Sequence, residues 1–203
     1  MNLTDLLPGA GRMLGITGAP GAGKSTLAAL LAARHGATVV PMDGFHLADV
    51  ELVRRGLRDR KGAPETFDAE GYAALLRRVR GREPLVMAPS FERTLEQPIA
   101  GALPIAGDAD LVVTEGNYLL LDTGAWPRVR EQLDTVWHLV TDETLRLERL
   151  VARHVEFGKT PDAARSWVAG VDQPNAELVE AAAAGADVVL DLSDWSALPA
   201  GTH

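Results

Sequence analysis

The sequence contains no cysteine, which excludes disulfide bonds, thiol nucleophiles, and zinc or iron–sulfur sites built on thiolates. It also lacks an apolar run of the roughly 18 residues that a membrane-spanning helix requires. The first residues, MNLTDLLPGAGR, lack the basic leader and apolar stretch of a secretory signal. We therefore expect a cytoplasmic protein that has no membrane partner.

Positive charge is scarce as well. The 203 residues include 20 lysines and arginines against 28 acidic residues, which gives a formal net charge of −8 at pH 7. This balance predicts no nucleic-acid partner, because a broad nucleic-acid surface needs an excess of basic side chains. Only three basic residues are lysines, namely Lys24, Lys61 and Lys159. The length suits one domain over residues 1–203, since 46% of the residues are hydrophobic and can form a core.

Short apolar runs alternate with helical patterns along most of the chain. Parallel strands that are buried on both faces are joined by helices that cross over the sheet. The pattern therefore predicts a three-layer α/β fold with helices on both faces of a five-stranded parallel sheet. A proline-rich stretch, residues 85–106, is expected to hold an extended excursion or a hairpin. The predicted strands are residues 12–17, 37–42, 110–115, 135–140 and 187–192, and the firmest helices are residues 24–34, 68–80 and 142–157.

The strongest motif is the segment GAPGAGKS between the first strand and the first helix, which fits the pattern G-x-x-x-x-G-K-[ST]. Its glycines allow backbone N–H groups to curl around phosphate oxygens, and the positive end of the following helix points at the same anion. Lys24 can bridge the β- and γ-phosphates of a nucleoside triphosphate, and the Ser25 hydroxyl can bind Mg²⁺. The predicted nucleotide-binding residues are Gly18, Ala19, Gly21, Ala22, Gly23, Lys24, Ser25 and Thr26.

Signatures of other nucleotide-binding proteins are missing from the sequence. It has no N-K-x-D segment of the kind that reads the guanine base in GTPases, and no LSGGQ-like segment of a transporter ATPase. The glycine spacing also differs from the G-x-G-x-x-G of a dinucleotide-binding loop. The phosphate loop predicts binding of a nucleoside triphosphate but does not identify the reaction. The kind of reaction is predicted from residues outside the loop.

Two acidic residues follow strands of the predicted sheet: Asp43 in MDGFHL and Glu115 in VVTEGNY. Ligands of an open α/β sheet bind beyond the carboxyl ends of its strands, so both carboxylates are expected near the phosphate loop. Glu115 is the candidate Mg²⁺ ligand beside Ser25, because Mg²⁺ favours hard oxygen ligands. Asp43 is the candidate general base that takes a proton from an attacking hydroxyl group. The alternatives are a turn-forming aspartate and a surface glutamate.

In this order, the loop and the segments MDGFHL, VVTEGNYLL and RLVARH resemble the phosphoribulokinase, uridine kinase and bacterial pantothenate kinase family of P-loop kinases. The likeness is strongest to a branch of nucleoside/nucleotide kinase-like and fructose-transport-system-kinase-like proteins. It implies a five-stranded parallel core, ATP with Mg²⁺ as the phosphoryl donor, and a small hydroxylated molecule as the acceptor. On matching positions, the resemblance makes Asp43 the base and Glu115 the acid associated with magnesium.

A group of arginines follows the fourth predicted strand. Arg146, Arg149 and Arg153 lie three and four residues apart, so they share one face of a helix. The run is similar to the lid of the family, which implies a short helical lid at about residues 149–165. In that lid Arg149 would contact the nucleotide and Arg153 would neutralise charge on the transferring phosphate. His154 departs from the aspartate that uridine kinases tend to have at this position. The alternative to a lid role for the arginines is an exposed basic face of the helix.

The acceptor pocket is expected from segments after the second and third strands and from residues 85–106. For two aromatic candidates, Phe45 and Tyr118, core packing is the alternative, and for His46 the alternative is a hydrogen-bonded turn. Arginines 54, 55, 58 and 60 could hold a phosphorylated acceptor, although most of them are expected to be solvated. The candidate acceptor-binding residues are Asp43, Phe45, His46, Arg93, Asn117 and Tyr118.

These features predict a kinase that moves the γ-phosphate of ATP to a hydroxyl group of a small metabolite, such as a nucleoside, a sugar or a pantothenate-like compound. Its catalytic residues would be Lys24, Asp43 and Arg153. One alternative is a nucleoside monophosphate kinase, whose acceptor is a phosphate and needs no general base. Another is a non-catalytic, ATP-binding regulatory protein. The expected partner is the small-molecule acceptor, and a homodimer is left open.

Overall fold

The computed structural model describes Leu7 and residues 12–193, so the expected domain of residues 1–203 extends past the described residues at both ends. Among the described residues, no helix is long and apolar enough to cross a membrane. The described strands are β1 (Arg12–Gly18), β2 (Thr38–Pro41), β3 (Leu85–Glu92), β4 (Gln97–Ala106), β5 (Leu111–Glu115), β6 (Thr135–Val140) and β7 (Val188–Asp191). The described α-helices are α1 (Lys24–His35), α2 (Asp49–Arg55), α3 (Ala69–Arg80), α4 (Trp126–Arg130), α5 (Glu143–Glu156), α6 (Pro161–Trp167) and α7 (Gln173–Ala181).

Five strands form one parallel sheet in the order β2-β5-β1-β6-β7. Strand β1 occupies the centre, and its apolar residues Met13, Leu14 and Ile16 are at most 3% exposed. The predicted five-stranded parallel sheet is confirmed, and each strand lies within one residue of its expected bounds at either end. Buried parallel strands are well marked in a sequence because their apolar runs are nearly continuous.

Helices cover both faces of this sheet. Successive residues of a strand point to opposite faces, so Met13 lies in a buried cluster with Tyr72 of α3, and the next residue, Leu14, lies in a second cluster with Leu27 of α1. The expected three-layer α/β arrangement is therefore confirmed. Asp68 caps helix α3 by accepting a hydrogen bond from the Gly71 backbone N–H at 2.9 Å, which explains where that helix begins.

The proline-rich stretch forms a separate antiparallel hairpin of β3 and β4. Its register shifts between Ala88 and Ser90, on either side of Pro89, which has no backbone N–H to donate to the ladder. The short helix α4 was not predicted. It spans five residues and contains a proline in its first turn, so its sequence carries little helical periodicity.

We expect Leu76→Ala to lower the free energy of unfolding by about 2–5 kcal/mol, because it leaves a cavity where a fully buried side chain joins α3 to the core. Chemical denaturation followed by circular dichroism measures this loss. The matched control is Leu178→Ala in α7, where the leucine is 47% exposed and a change within about 0.5 kcal/mol is expected. Equal losses in the two variants would contradict the packing of α3 described above.

Candidate active site

The phosphate loop lies between β1 and α1 and has little space for side chains. Gly18 has a φ of 149°, and a Cβ atom there would lie 2.6 Å from the carbonyl oxygen of Leu139. Gly21 has a φ of 84°, and a Cβ atom there would lie 3.0 Å from the carbonyl oxygen of Arg146. Both positions therefore require glycine. No side chain among the described residues caps the helix at Gly23, so the N-terminal end of α1 keeps its anion-binding character.

Lys24 is buried at the start of α1. Its Nζ atom donates hydrogen bonds to the carbonyl oxygens of Gly18 and Ala19, both at 2.9 Å. Burial lowers the pKa of Lys24 to about 8, and the nearby carboxylates of Glu115 and Asp43 oppose that lowering. The ammonium group thus lies inside the phosphate loop, where phosphate oxygens are its natural partners.

Ser25 and Glu115 meet beside the loop. The Ser25 hydroxyl donates a hydrogen bond to Glu115 Oε1 at 3.0 Å, and Glu115 is buried at the carboxyl end of β5. Burial raises the pKa of Glu115, and the negative charge of Asp43 raises it further, whereas Lys24 and the Ser25 hydrogen bond act in the opposite direction. Two hard oxygen donors at this spacing fit a Mg²⁺ ion that keeps water or phosphate oxygens as its remaining ligands.

Asp43 lies in a short 3₁₀ turn that follows β2. A Cβ atom on the next residue, Gly44, would lie 2.4 Å from the Pro89 carbonyl oxygen, so the turn packs directly on the β3–β4 hairpin. The Asp43 carboxylate is 37% exposed, and its Oδ2 atom lies 3.7 Å from Nη2 of Arg93, which belongs to the hairpin. The carboxylate is therefore accessible and has a basic side chain beside it.

A cavity of about 290 Å³ joins the phosphate loop, the Asp43 turn, the hairpin, and helices α5 to α7. Basic residues outnumber acidic ones on its wall, although the whole chain has a net charge of −8. This local excess suits the binding of an anionic ligand such as a triphosphate. The basic lining residues are Lys24, Arg58, Lys61, Arg93, Arg153 and Lys159, and the acidic ones are Asp43, Glu96, Glu115 and Asp172.

Most of the candidate residues meet at this cavity. Those on its wall are Gly21, Lys24, Ser25, Asp43, His46, Arg93, Glu115, Asn117 and Arg153, and the other residues of the phosphate loop form its turn. Phe45 and Tyr118 do not reach it. The Phe45 ring lies 4.6 Å from the ring of Tyr72. Tyr118 is fully buried, and its hydroxyl donates a hydrogen bond to the Gly62 carbonyl oxygen. Both side chains therefore pack in the core, as the alternative interpretation of the sequence predicted.

The helices over the cavity hold the arginines in different ways. Arg146 is buried rather than solvated, and its guanidinium donates to the Gln173 side chain at 2.6 Å and to the Pro20 carbonyl at 3.4 Å. Arg149 is exposed and is not part of the cavity wall, whereas Arg153 is. His154 Nε2 lies 2.8 Å from Asp172 Oδ2 in a pair that also borders the cavity.

Several residues of the wall were missed by sequence reasoning. Lys61 carried one usable signal, since it is one of three lysines in a chain that otherwise uses arginine. The other missed residues come from separate segments that only the fold brings together. They include Phe67, Phe91, Glu96, Trp167, Asp172 and Asn175.

Comparison with known proteins finds kinases of similar sequence and fold, whereas no family model matches the chain. A Schizosaccharomyces pombe protein provisionally named as a uridine kinase is 32% identical over 194 residues, which are 88% of this chain and 82% of that protein. An Aspergillus versicolor protein named as ATP-dependent kinase-like is 35% identical over 133 residues, which are 61% of this chain and 76% of that protein. Among solved structures, a provisionally named fructose transport system kinase from Silicibacter sp. TM1040 is 39% identical and has a TM-score of 0.83, with 94% of this chain and 99% of that chain covered.

We expect Gly44→Ala to lower the free energy of unfolding by about 1–3 kcal/mol, because the new methyl group forces the Asp43 turn away from the hairpin. Thermal unfolding followed by calorimetry measures the loss. The matched control is Gly170→Ala, where a Cβ atom meets no other atom within 4 Å and alanine favours the helical backbone by up to about 1 kcal/mol. A Gly44 variant as stable as the control would show that the turn does not pack on the hairpin.

Proposed function

The chain belongs to the phosphoribulokinase, uridine kinase and bacterial pantothenate kinase family of P-loop kinases, and on this premise we propose that it transfers the γ-phosphate of ATP to a hydroxyl group of a small metabolite with the help of Mg²⁺. It is a phosphotransferase, as its relatives are named kinases. The proposal therefore concerns the donor, the metal and the kind of acceptor.

One observation carries the proposal: the Asp43 carboxylate lines the same cavity as the phosphate loop and is open to a bound molecule. Its negative charge is near enough to affect the pKa of both Lys24 and Glu115, although burial has the larger effect on each. A carboxylate in that position can accept the proton of an attacking hydroxyl group. A phosphate acceptor would have no such proton to remove.

In the proposed reaction, Asp43 takes the proton of the acceptor hydroxyl while the hydroxyl oxygen bonds to the γ-phosphorus. The bond from that phosphorus to the oxygen bridging the β-phosphate breaks, and ADP leaves with the bridging oxygen. Lys24 and Arg153 neutralise charge on the transferring group. Within the described part of the chain, Arg153 forms no ion pair with a carboxylate, so its guanidinium is available to phosphate oxygens.

Ser25 and Glu115 are the residues that would hold Mg²⁺ in this proposal, because their hard side-chain oxygens lie 3.0 Å apart beside the phosphate loop. The described residues contain no cluster of three or more histidine, cysteine or acidic side chains that could hold a metal by themselves. Water and phosphate oxygens would complete the coordination. When bound, Mg²⁺ supplies positive charge against the phosphates.

Residues 149–165 form the lid of the proposed enzyme, within a single kinase domain. Arg153, His154 and Lys159 of this segment line the cavity on the side of α5 and α6. Closing such a segment over the reactants would exclude water, which would otherwise compete with the acceptor for the γ-phosphate.

Asp43→Asn is expected to lower kcat by about 10²–10⁴-fold, because asparagine cannot take the proton of the acceptor hydroxyl. The protein is incubated with ATP, Mg²⁺ and pooled sugars, sugar phosphates, hydroxy acids, nucleosides, nucleoside monophosphates and pantothenate, and mass spectrometry detects the gain of a phosphate group. ATP affinity is measured in parallel and should change little. The matched control is Asp108→Asn, an exposed aspartate outside the cavity wall, which should leave kcat unchanged.

The other two functions give different results in this experiment. Near-normal turnover of Asp43→Asn, with a nucleoside monophosphate as the acceptor, would indicate a nucleoside monophosphate kinase. Tight ATP binding without any phosphorylated product would indicate the non-catalytic regulatory protein. Either result contradicts the proposed hydroxyl kinase.

A further inference from the structure

Two basic side chains on the cavity wall share one carboxylate. Lys61 Nζ donates a hydrogen bond to Asp49 Oδ1 at 2.7 Å, and Arg58 Nη2 lies 2.8 Å from Asp49 Oδ2. Arg58 and Lys61, which we call the cation pair, both line the cavity, and Asp49 is not one of its lining residues. The cation pair therefore presents more positive charge to the cavity than its carboxylate partner cancels.

Glu96 is one of the four acidic residues on the cavity wall and lies beside Lys61. It is exposed to solvent, and its carboxylate forms no ion pair with either member of the cation pair in the described structure. Lys61 instead donates a hydrogen bond to the Glu96 backbone carbonyl. Water and salt screen an exposed charge strongly, whereas Lys61 is only 8% exposed and its charge is screened less.

A continuous series of contacts connects the cation pair to Asp43. His46 Nδ1 lies 2.8 Å from the Asp43 carbonyl oxygen, and the His46 ring lies 4.8 Å from the ring of Phe91. Lys61 Nζ lies 5.4 Å from the centre of the same Phe91 ring. The base and the cation pair are thus separated by the two rings, His46 and Phe91, which both line the cavity.

We propose that the phosphoryl acceptor carries an anionic group, either a carboxylate or a phosphate monoester, which the cation pair binds while the reacting hydroxyl faces Asp43. This inference rests on the proposed function and adds the charge class of its acceptor. The His46 and Phe91 rings would contact the carbon skeleton between the two ends of the acceptor. Hydroxy acids and sugar phosphates fit this description, and uncharged sugars and nucleosides do not.

The cation pair has N–H hydrogen-bond donors that can bind an anion. Lys61 uses two of its three N–H donors, one for Asp49 and one for the Glu96 carbonyl, which leaves one for a ligand. Arg58 Nη2 lies 2.8 Å from Asp49 Oδ2, and its planar guanidinium has five N–H donors in all. Two oxygens of a carboxylate or phosphate can accept from both side chains at once.

The first test compares acceptors in matched pairs with the unmodified protein, ATP and Mg²⁺. One arm sets hydroxy acids against their amides, and the other sets sugar phosphates against the corresponding free sugars. We expect the anionic member of the productive pair to have the higher kcat/KM by at least about 10-fold, through a lower KM. The arm in which turnover occurs identifies the anion as a carboxylate or a phosphate.

The second test removes one charge from the wall. Arg58→Gln is expected to raise the KM of the anionic acceptor by about 10- to 100-fold, with little change in kcat or in the KM of ATP. Glu96→Gln should lower the same KM, by about twofold, because it removes the opposing charge. The matched control is Arg60→Gln, whose arginine is 62% exposed, pairs with Glu65 and lies outside the cavity wall, so its KM should not change.

The inference is overturned if the uncharged member of each pair is the better acceptor, or if Arg58→Gln affects KM no more than Arg60→Gln does. In that event, a loss of turnover in Asp43→Asn with uncharged acceptors would leave the proposed function standing. Absence of phosphorylated product from every acceptor would overturn the proposed function, and the inference with it.

Discussion

The parallel register of three neighbouring strands determines where the chemical groups of this protein meet. Ile16 of β1 pairs with Glu115 of β5, and Glu115 pairs in turn with Pro41 of β2. The phosphate loop, Glu115 and the Asp43 turn consequently leave the sheet at the same level. A shift of one residue in β5 would turn Glu115 to the other face of the sheet, away from Ser25. The contact between Ser25 and Glu115 therefore depends on this alignment.

The same alignment concentrates ionisable groups in a small, partly dry space. Burial lowers the pKa of Lys24 to about 8 and raises the pKa of Glu115, so the folded structure disfavours the charged form of each. Their mutual attraction offsets part of this cost. A polyanion and a divalent cation would offset more of it, because each brings the opposite charge to one of these groups. The phosphate loop is therefore arranged for ligands rather than for its own stability.

The parts of the site that follow from local pattern were predictable. The apolar strands and the residues directly after them, including Asp43 and Glu115, could be located because period, strand ends and the phosphate-loop motif are properties of short segments. The orientation of Phe45 and Tyr118 could not be read in the same way, since both follow strands yet turn into the core. The burial of Arg146 could not be predicted either, because it results from the position of the phosphate loop beside α5. Such features depend on contacts between distant segments, which the order of residues does not display.

Helix α5 is packed more closely beside the phosphate loop than near its last residues. The phosphate loop packs against Arg146 and Leu150, since a Cβ atom added at Gly21 would lie 3.0 Å from each, and these two residues are at most 6% exposed. Near the end of the helix Val155 and Phe157 are 39% and 43% exposed, and His154 contacts the Asp172 carboxylate there at 2.8 Å. A displacement of the phosphate loop would therefore act directly on Arg146 and Leu150. Arg153 and His154 follow on the same helix, so the position of the loop also influences where these two cavity-lining side chains lie.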